Sequence, residues 1–144
     1  MTTKPVSVIG LDIGTVRVGV ARASWPDGIP APLATIENGP SLMTELRKLI
    51  SALDCKLIIA GKPRNMAGDD TPQTEYTLRL ANEISQRLGL PIYYQDEAIT
   101  SIKAEAELKQ RRKPYTKSDI DSLSATFILE DFIHDHPKGE GVEL

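Results

Sequence analysis

The spacing of apolar positions divides the chain into two regimes. Residues 6–13 form a nearly continuous apolar run rich in β-branched side chains, ending at Gly14. Such a run predicts a central strand buried on both faces. From Val16 to Ala21 the pattern alternates, with Val16, Val18 and Val20 on one side and Arg17 and Gly19 on the other. That predicts a half-exposed strand, joined to the first as a hairpin through Gly14-Thr15. The stretch Trp25-Pro26-Asp27-Gly28-Ile29-Pro30-Ala31-Pro32 reads as a loop, and Leu33 to Glu37 as a short third strand.

Beyond residue 40 the period changes. Leu42, Leu46, Leu49, Ile50 and Leu53 lie at helical spacing behind Ser41, an expected N-cap. Lys56 to Gly61 is a short buried strand. Thr71-Pro72 opens a second helix, with the stripe Tyr76/Thr77, Leu80, Ala81, Ile84 and Leu88 closed by Gly89. A fifth strand spans Pro91 to Gln95 and ends at Asp96-Glu97. A short helix covers Ser101 to Lys109. A last helix begins near Ser118 and shows Ile120, Leu123, Phe127, Ile128 and Phe132.

The order β-β-β-α-β-α-β-α-α predicts an α/β fold. Strands joined by short turns pair antiparallel and strands joined by helices pair parallel, which gives a mixed five-stranded sheet flanked by helices. A chain of 144 residues is about one domain. Residues 1–136 are expected to form it and residues 137–144 a polar tail, with fraying from His134 onward. No repeat or low-complexity linker interrupts the chain.

Composition narrows the function. With 17 basic and 20 acidic residues the net charge is −3, which excludes a uniformly basic nucleic-acid coat but not a local basic patch. The single cysteine, Cys55, allows no internal disulfide and fits a reducing compartment. Apolar runs reach about five residues against the roughly 20 that cross a bilayer. No signal peptide is visible, so a cytoplasmic protein with no membrane partner is expected.

Three carboxylate positions invite chemistry. Asp12 interrupts an apolar strand, where an uncompensated carboxylate is costly; it is either the start of an Asp-x-Gly turn or a rigidly held metal ligand. Asp96-Glu97 ends the fifth strand, and ligands of open α/β sheets bind at such ends. Neighbours on a strand face opposite ways, so one of the pair at most shares a site with Asp12. Asp121 is either the N3 residue of a Ser118-x-x-Asp121 capping box or a site carboxylate. Clustered, such groups would repel unless a divalent cation, the natural partner of hard oxygen ligands, relieved them. Ser/His or Cys/His catalysis is poorly supported, because both histidines, His134 and His136, lie in the tail.

Basic residues fall near these positions. Lys109 to Lys117 holds five of them in nine residues without an acid, Lys62 and Arg64 leave the fourth strand, and Arg17 follows the first turn. Each run is either a solvated face or a phosphate-binding surface.

The segment Gly10-Leu11-Asp12-Ile13-Gly14-Thr15-Val16-Arg17-Val18-Gly19-Val20-Ala21 resembles the opening motif of the YqgF (RuvX-like) family. Gly61-Lys62-Pro63-Arg64-Asn65 resembles its Gly-x-Pro loop, and Asp96-Glu97-Ala98-Ile99-Thr100-Ser101 its Asp-Glu-Arg-Leu-Thr-Thr segment. Asp121-Ser122-Leu123-Ser124-Ala125-Thr126-Phe127-Ile128-Leu129 resembles its terminal Asp-x-x-Ala-Ala-x-x-Ile-Leu helix. The four segments lie in order between residues 6 and 133.

The resemblance implies an RNase H-like fold and a nuclease that processes precursor 16S ribosomal RNA. It implies Asp12, Glu97 and Asp121 as catalytic metal ligands, with Mg²⁺ or Mn²⁺ as cofactor. Arg17, Lys62, Arg64, Arg111, Arg112, Lys113 and Lys117 are the expected nucleic-acid contacts. Ala98 replaces the family's usual arginine and Lys62 its usual hydrophobic residue, changes that bear on substrate affinity. The expected partners are structured or precursor RNA and ribosomal particles, and the expected state is a monomer or weak homodimer.

Three alternatives stand beside this reading. A Holliday junction resolvase would need a dimer, for which the sequence offers no dedicated helix. A non-catalytic RNA- or ribosome-binding module would tolerate loss of Asp12 or Glu97. Asp12-Ile13-Gly14-Thr15 also resembles the phosphate motif of two-lobed ATPases, which need more than twice this length.

Overall fold

The computed structural model describes residues 4–65, 67–97 and 100–137, with the side chains of Glu97 and residues 100–102 outside that description. Nine elements follow in the expected order. They are β1 (Val6–Ile13), β2 (Arg17–Trp25), β3 (Ala31–Glu37), α1 (Leu42–Leu53), β4 (Cys55–Pro63), α2 (Pro72–Leu88), β5 (Ile92–Glu97), α3 (Thr100–Gln110) and α4 (Lys117–Asp135).

The sheet order is β3-β2-β1-β4-β5. β1 pairs antiparallel with β2, and β2 with β3. β1 pairs parallel with β4, and β4 with β5. Strand connections explain the switch: three-residue and five-residue links join β1, β2 and β3, whereas α1 and α2 carry the chain across to β4 and β5.

Alternate residues of β1 serve two cores. Ile9, Leu11 and Ile13 face Leu42, Met43 and Leu46 of α1 and Ala81 and Ile84 of α2. Val8 belongs to the opposite face with Ala21, Ala23, Trp25, Leu57 and Ile59, covered by Ala125, Ile128, Leu129 and Phe132 of α4. α3 packs outside α4 through Ala104, Leu108, Leu123 and Phe127. Sandwiched between sheet and α3, α4 buries every residue from Leu123 to Leu129, more than the single stripe its sequence suggests. Among the described residues no helix is long and apolar enough to cross a membrane.

Four expectations need correction. β2 is not half-exposed: Val18 to Ala21 are all buried, because α4 covers the face of Gly19 and Ala21, while Val16 precedes the strand and is 62% exposed. β2 runs on through Trp25 and β3 begins at Ala31, shortening the predicted loop. The N-cap of α4 is Thr116, not Ser118; Thr116 and Asp119 form the reciprocal capping box, with Asp119 Oδ2 accepting from Thr116 N at 2.8 Å. The chain does not fray at His134. α4 continues to Asp135, Trp25 Nε1 donates to the His136 carbonyl at 3.1 Å, and the His136 ring stacks on Phe132 at 4.6 Å. Residues 138–144, most of the expected tail, lie outside the described residues.

Candidate active site

Asp12 is the penultimate residue of β1, on the face that α4 covers, and it pairs in register with Gly19 of β2. Gly19 lacks the one atom that would keep α4 away: a Cβ there would overlap the Asp121 carbonyl. At Gly10, one alternation back along β1, a Cβ would come within 2.6 Å of Leu129 Cγ and 3.0 Å of the Ala125 carbonyl. These two glycines let α4 lie directly on the strands. The close approach brings Asp121 beside Asp12.

The charge consequence is visible at Asp12. Burial, with the charge of Asp121 added, pushes its carboxyl up from 3.8 to about 6. A buried acid next to a second acid resists ionisation for both reasons. Arg17 relieves the pair on one side, its Nε donating to Asp121 Oδ2 at 2.6 Å. Arg17 is thus bound to a site carboxylate, a role not read from the sequence, where it stands as a phosphate contact.

Thr116 and Asp119 satisfy the helix start, so Asp121 is not a cap. It shares the sheet-facing side of α4 with Ala125, Ile128 and Phe132, spaced at i+4, i+7 and i+11.

Glu97 is the last residue of β5 and pairs with Pro63 at the end of β4. Its backbone position alternates in step with Gln95, whose Nε2 donates to Asp135 of α4 at 2.9 Å. The Glu97 carboxylate lies outside the described residues, as do Ala98 and Ile99. Asp96 takes the other side: it is exposed and accepts from Arg64 Nε at 3.1 Å. Among the described residues no group of three acidic, histidine or cysteine side chains could hold a metal. The two that meet, Asp12 and Asp121, are hard oxygen donors whose mutual repulsion Arg17 relieves only on the Asp121 side. That is the donor chemistry a divalent cation fits.

Two side chains without a sequence signal fix the loop beyond Asp12. Asn38 Nδ2 donates to the Gly14 carbonyl at 2.8 Å and to Tyr76 Oη at 2.7 Å. Gln73 Nε2 donates to the Ile13 carbonyl at 3.3 Å.

The basic residues divide into two groups. Arg64 is engaged by Asp96, by Asp70 at 3.4 Å and by the Gly68 carbonyl at 3.0 Å, and Lys62 lies 4.0 Å from Asp70. Arg111 pairs with Glu107 at 3.0 Å and Lys109 with Glu105 at 3.2 Å. Arg112, Lys113 and Lys117 are exposed and form no ion pair among the described residues. Arg111 and Lys113 also line a 240 Å³ groove with Tyr115, between the end of α3 and the start of α4.

This sheet order, with α4 laid across β1 and β2, defines an RNase H-like fold. A structure of Thermus thermophilus RuvC in complex with a Holliday junction substrate superposes with a TM-score of 0.55 over 90% of this chain and 96% of that one, at 11% identity. A second structure of the same protein gives 0.53 over the same shares, at 12% identity. A family model described as RuvX, Holliday junction resolvase, matches residues 6–135, and the chain belongs to the RuvX family. Its relatives include a Crocosphaera subtropica protein named "Putative pre-16S rRNA nuclease", 36% identical, covering 89% of this chain and 92% of the relative. Proteins of the same name from Sulfurihydrogenibium sp. (36% identical, 88% of each chain) and Shewanella oneidensis (32% identical, 90% of this chain and 95% of the relative) match similarly.

Proposed function

We propose that this protein is a divalent-cation-dependent nuclease that hydrolyses phosphodiester bonds in precursor 16S ribosomal RNA, acting in the cytoplasm on structured RNA or ribosomal particles. The observation that carries the reading is the pairing of Asp12 with Asp121 at the carboxyl end of β1, in a chain whose relatives carry the name of that activity. The carboxyl ends of parallel strands are where α/β sheets bind ligands.

Asp12, Asp121 and Glu97 would hold Mg²⁺ or Mn²⁺. The cation would supply charge neutralisation at the scissile phosphate and a more acidic water. The remaining work belongs to the protein. Arg17 orients Asp121 and limits the repulsion it exerts on Asp12. Asn38 and Gln73 hold the loop after Asp12 and so fix the carboxylate's direction. Arg112, Lys113 and Lys117, with Arg111, offer phosphate contacts that position a backbone without reading sequence. Lys62 and Arg64 join them only by exchanging Asp70 and Asp96 for phosphate.

Cleavage of DNA junctions is the second reading, favoured by the description of the family model. Purified protein with Mn²⁺, offered labelled precursor 16S RNA and a four-way DNA junction, separates the two. Cleavage of the RNA supports the reading. Cleavage of the junction alone replaces it, and binding without cleavage of either supports a non-catalytic module.

A further inference from the structure

Ser124 is fully buried in α4, and its Oγ has no hydrogen-bonding partner among the described residues. Serine and threonine in a helix usually return their hydroxyl to the carbonyl four residues back. Thr126 does so, donating to the Ser122 carbonyl at 2.8 Å. Ser124 does not, although a buried hydroxyl left unpaired forfeits its hydration with nothing in exchange.

The place of this side chain follows from the packing of α4. Asp121 lies over Gly19, the register partner of Asp12, and Ala125 and Leu129 over Gly10. Phe132 meets Trp25, the partner of Val6. Numbers rise along α4 as they fall along β1, so the turn Asp121–Ala125 spans the level of Asp12. Ser124 is one turn before Ile128, whose Cδ1 lies against Gly61 on β4. Its flank of the helix is therefore the β4 side, toward the strand ends where Glu97 is placed. Arg17 closes the opposite, β2 side of the pair.

We propose that Ser124 is a positioning residue of the carboxylate site, its hydroxyl, unpaired among the described residues, hydrogen-bonding to the hydration water of a divalent cation held by Asp12 and Asp121. The inference rests on the cation-dependent reading above but names a residue that reading does not need. Alanine differs from serine here only by the hydroxyl, so Ser124→Ala removes the interaction without disturbing the packing.

The test is titration calorimetry of the intact protein with MnCl2 alone, paired with thermal melts in EDTA. Wild type, Ser124→Ala and Ser122→Ala are compared, the last because Ser122 lies on the same turn. Ser124→Ala is expected to bind Mn²⁺ about two- to tenfold more weakly, with a melting temperature in EDTA equal to or above that of wild type. Ser122→Ala is expected to bind as wild type does. Equal Mn²⁺ affinity in wild type and Ser124→Ala overturns the inference and leaves the cation site standing. A lower melting temperature for Ser124→Ala in EDTA also overturns it, since the hydroxyl would then have an internal partner. Absence of Mn²⁺ binding by wild type overturns the cation site itself, and this inference with it.

Discussion

Asp12 and Gly19 face each other across the β1–β2 pair, and the missing side chain of Gly19 admits the helix that carries Asp121. Gly19→Ala should force α4 outward, because the added Cβ meets backbone that cannot rotate away. Overpacking of this kind costs about 1–3 kcal/mol. Urea unfolding should show that loss and Mn²⁺ affinity should fall, whereas Gly39→Ala, where nothing lies within 4 Å of the added Cβ, should change neither.

Asp12 makes stability depend on pH in an unusual direction. Its carboxyl is raised from 3.8 to about 6, so between those values the folded chain holds a proton the unfolded chain has released. Its contribution is full below about pH 4 and declines as pH rises through about 6. Two units correspond to about 2–3 kcal/mol at most. Asp12→Asn should therefore be about 2 kcal/mol more stable than wild type at pH 7 in EDTA, with the difference closing at pH 4. Denaturation curves across pH 4–7 check this, and saturating Mg²⁺ should shrink the gap at pH 7.

The Arg17–Asp121 pair is half-buried on both sides, at 32% and 20% side-chain exposure. Removing the cation leaves two acids facing each other. Arg17→Gln should cost about 1–2 kcal/mol at pH 7, and most of that cost should disappear in an Arg17→Gln/Asp12→Asn double variant. A double-mutant cycle by urea denaturation measures it.

Thr116, not Ser118, caps α4. Thr116→Ala should lower stability by about 1 kcal/mol, whereas Ser118→Ala should be near neutral. Thermal melts of the two variants distinguish them.

Neutralising Arg112, Lys113 and Lys117 together should weaken RNA binding and flatten its salt dependence. Three lost phosphate contacts correspond to a drop of about 2 in the slope of log K against log salt on single strands. Filter binding between 50 and 200 mM salt reads it. The equivalent change at Lys62 and Arg64 should have less effect, since both already face carboxylates.

The sequence carries the sheet because β1 is a continuous apolar run and each later strand is separated by a helical period or by a turn. It misleads at β2. Arg17 and Gly19 read as the exposed side of the alternation, yet Gly19, with Ala21 and Ala23 further along the strand, is small where α4 presses on it. At α4 two Ser/Thr-x-x-Asp patterns overlap two residues apart. Only the phase of Asp121 with Ala125, Ile128 and Phe132 tells the site carboxylate from the cap, and that phase is legible in hindsight. Arg17 and Arg64 read as free cations because Asp121 and Asp96 lie 104 and 32 residues away, whereas Asp70, which faces both Arg64 and Lys62, is brought to them only by the fold of the loop after β4. Ser124 and Asn38 carry no local signal, since an unpaired hydroxyl and a loop clamp exist only once the chain has packed.

The most direct measurement of the central claim is Mn²⁺-dependent cleavage of end-labelled precursor 16S RNA by wild type and Asp12→Asn, each with and without excess EDTA. Wild type should cleave with Mn²⁺, Asp12→Asn should cleave at least about a hundredfold more slowly, and neither should cleave with EDTA, with RNA binding preserved throughout. Undiminished cleavage by Asp12→Asn, or cleavage persisting in EDTA, would contradict that claim.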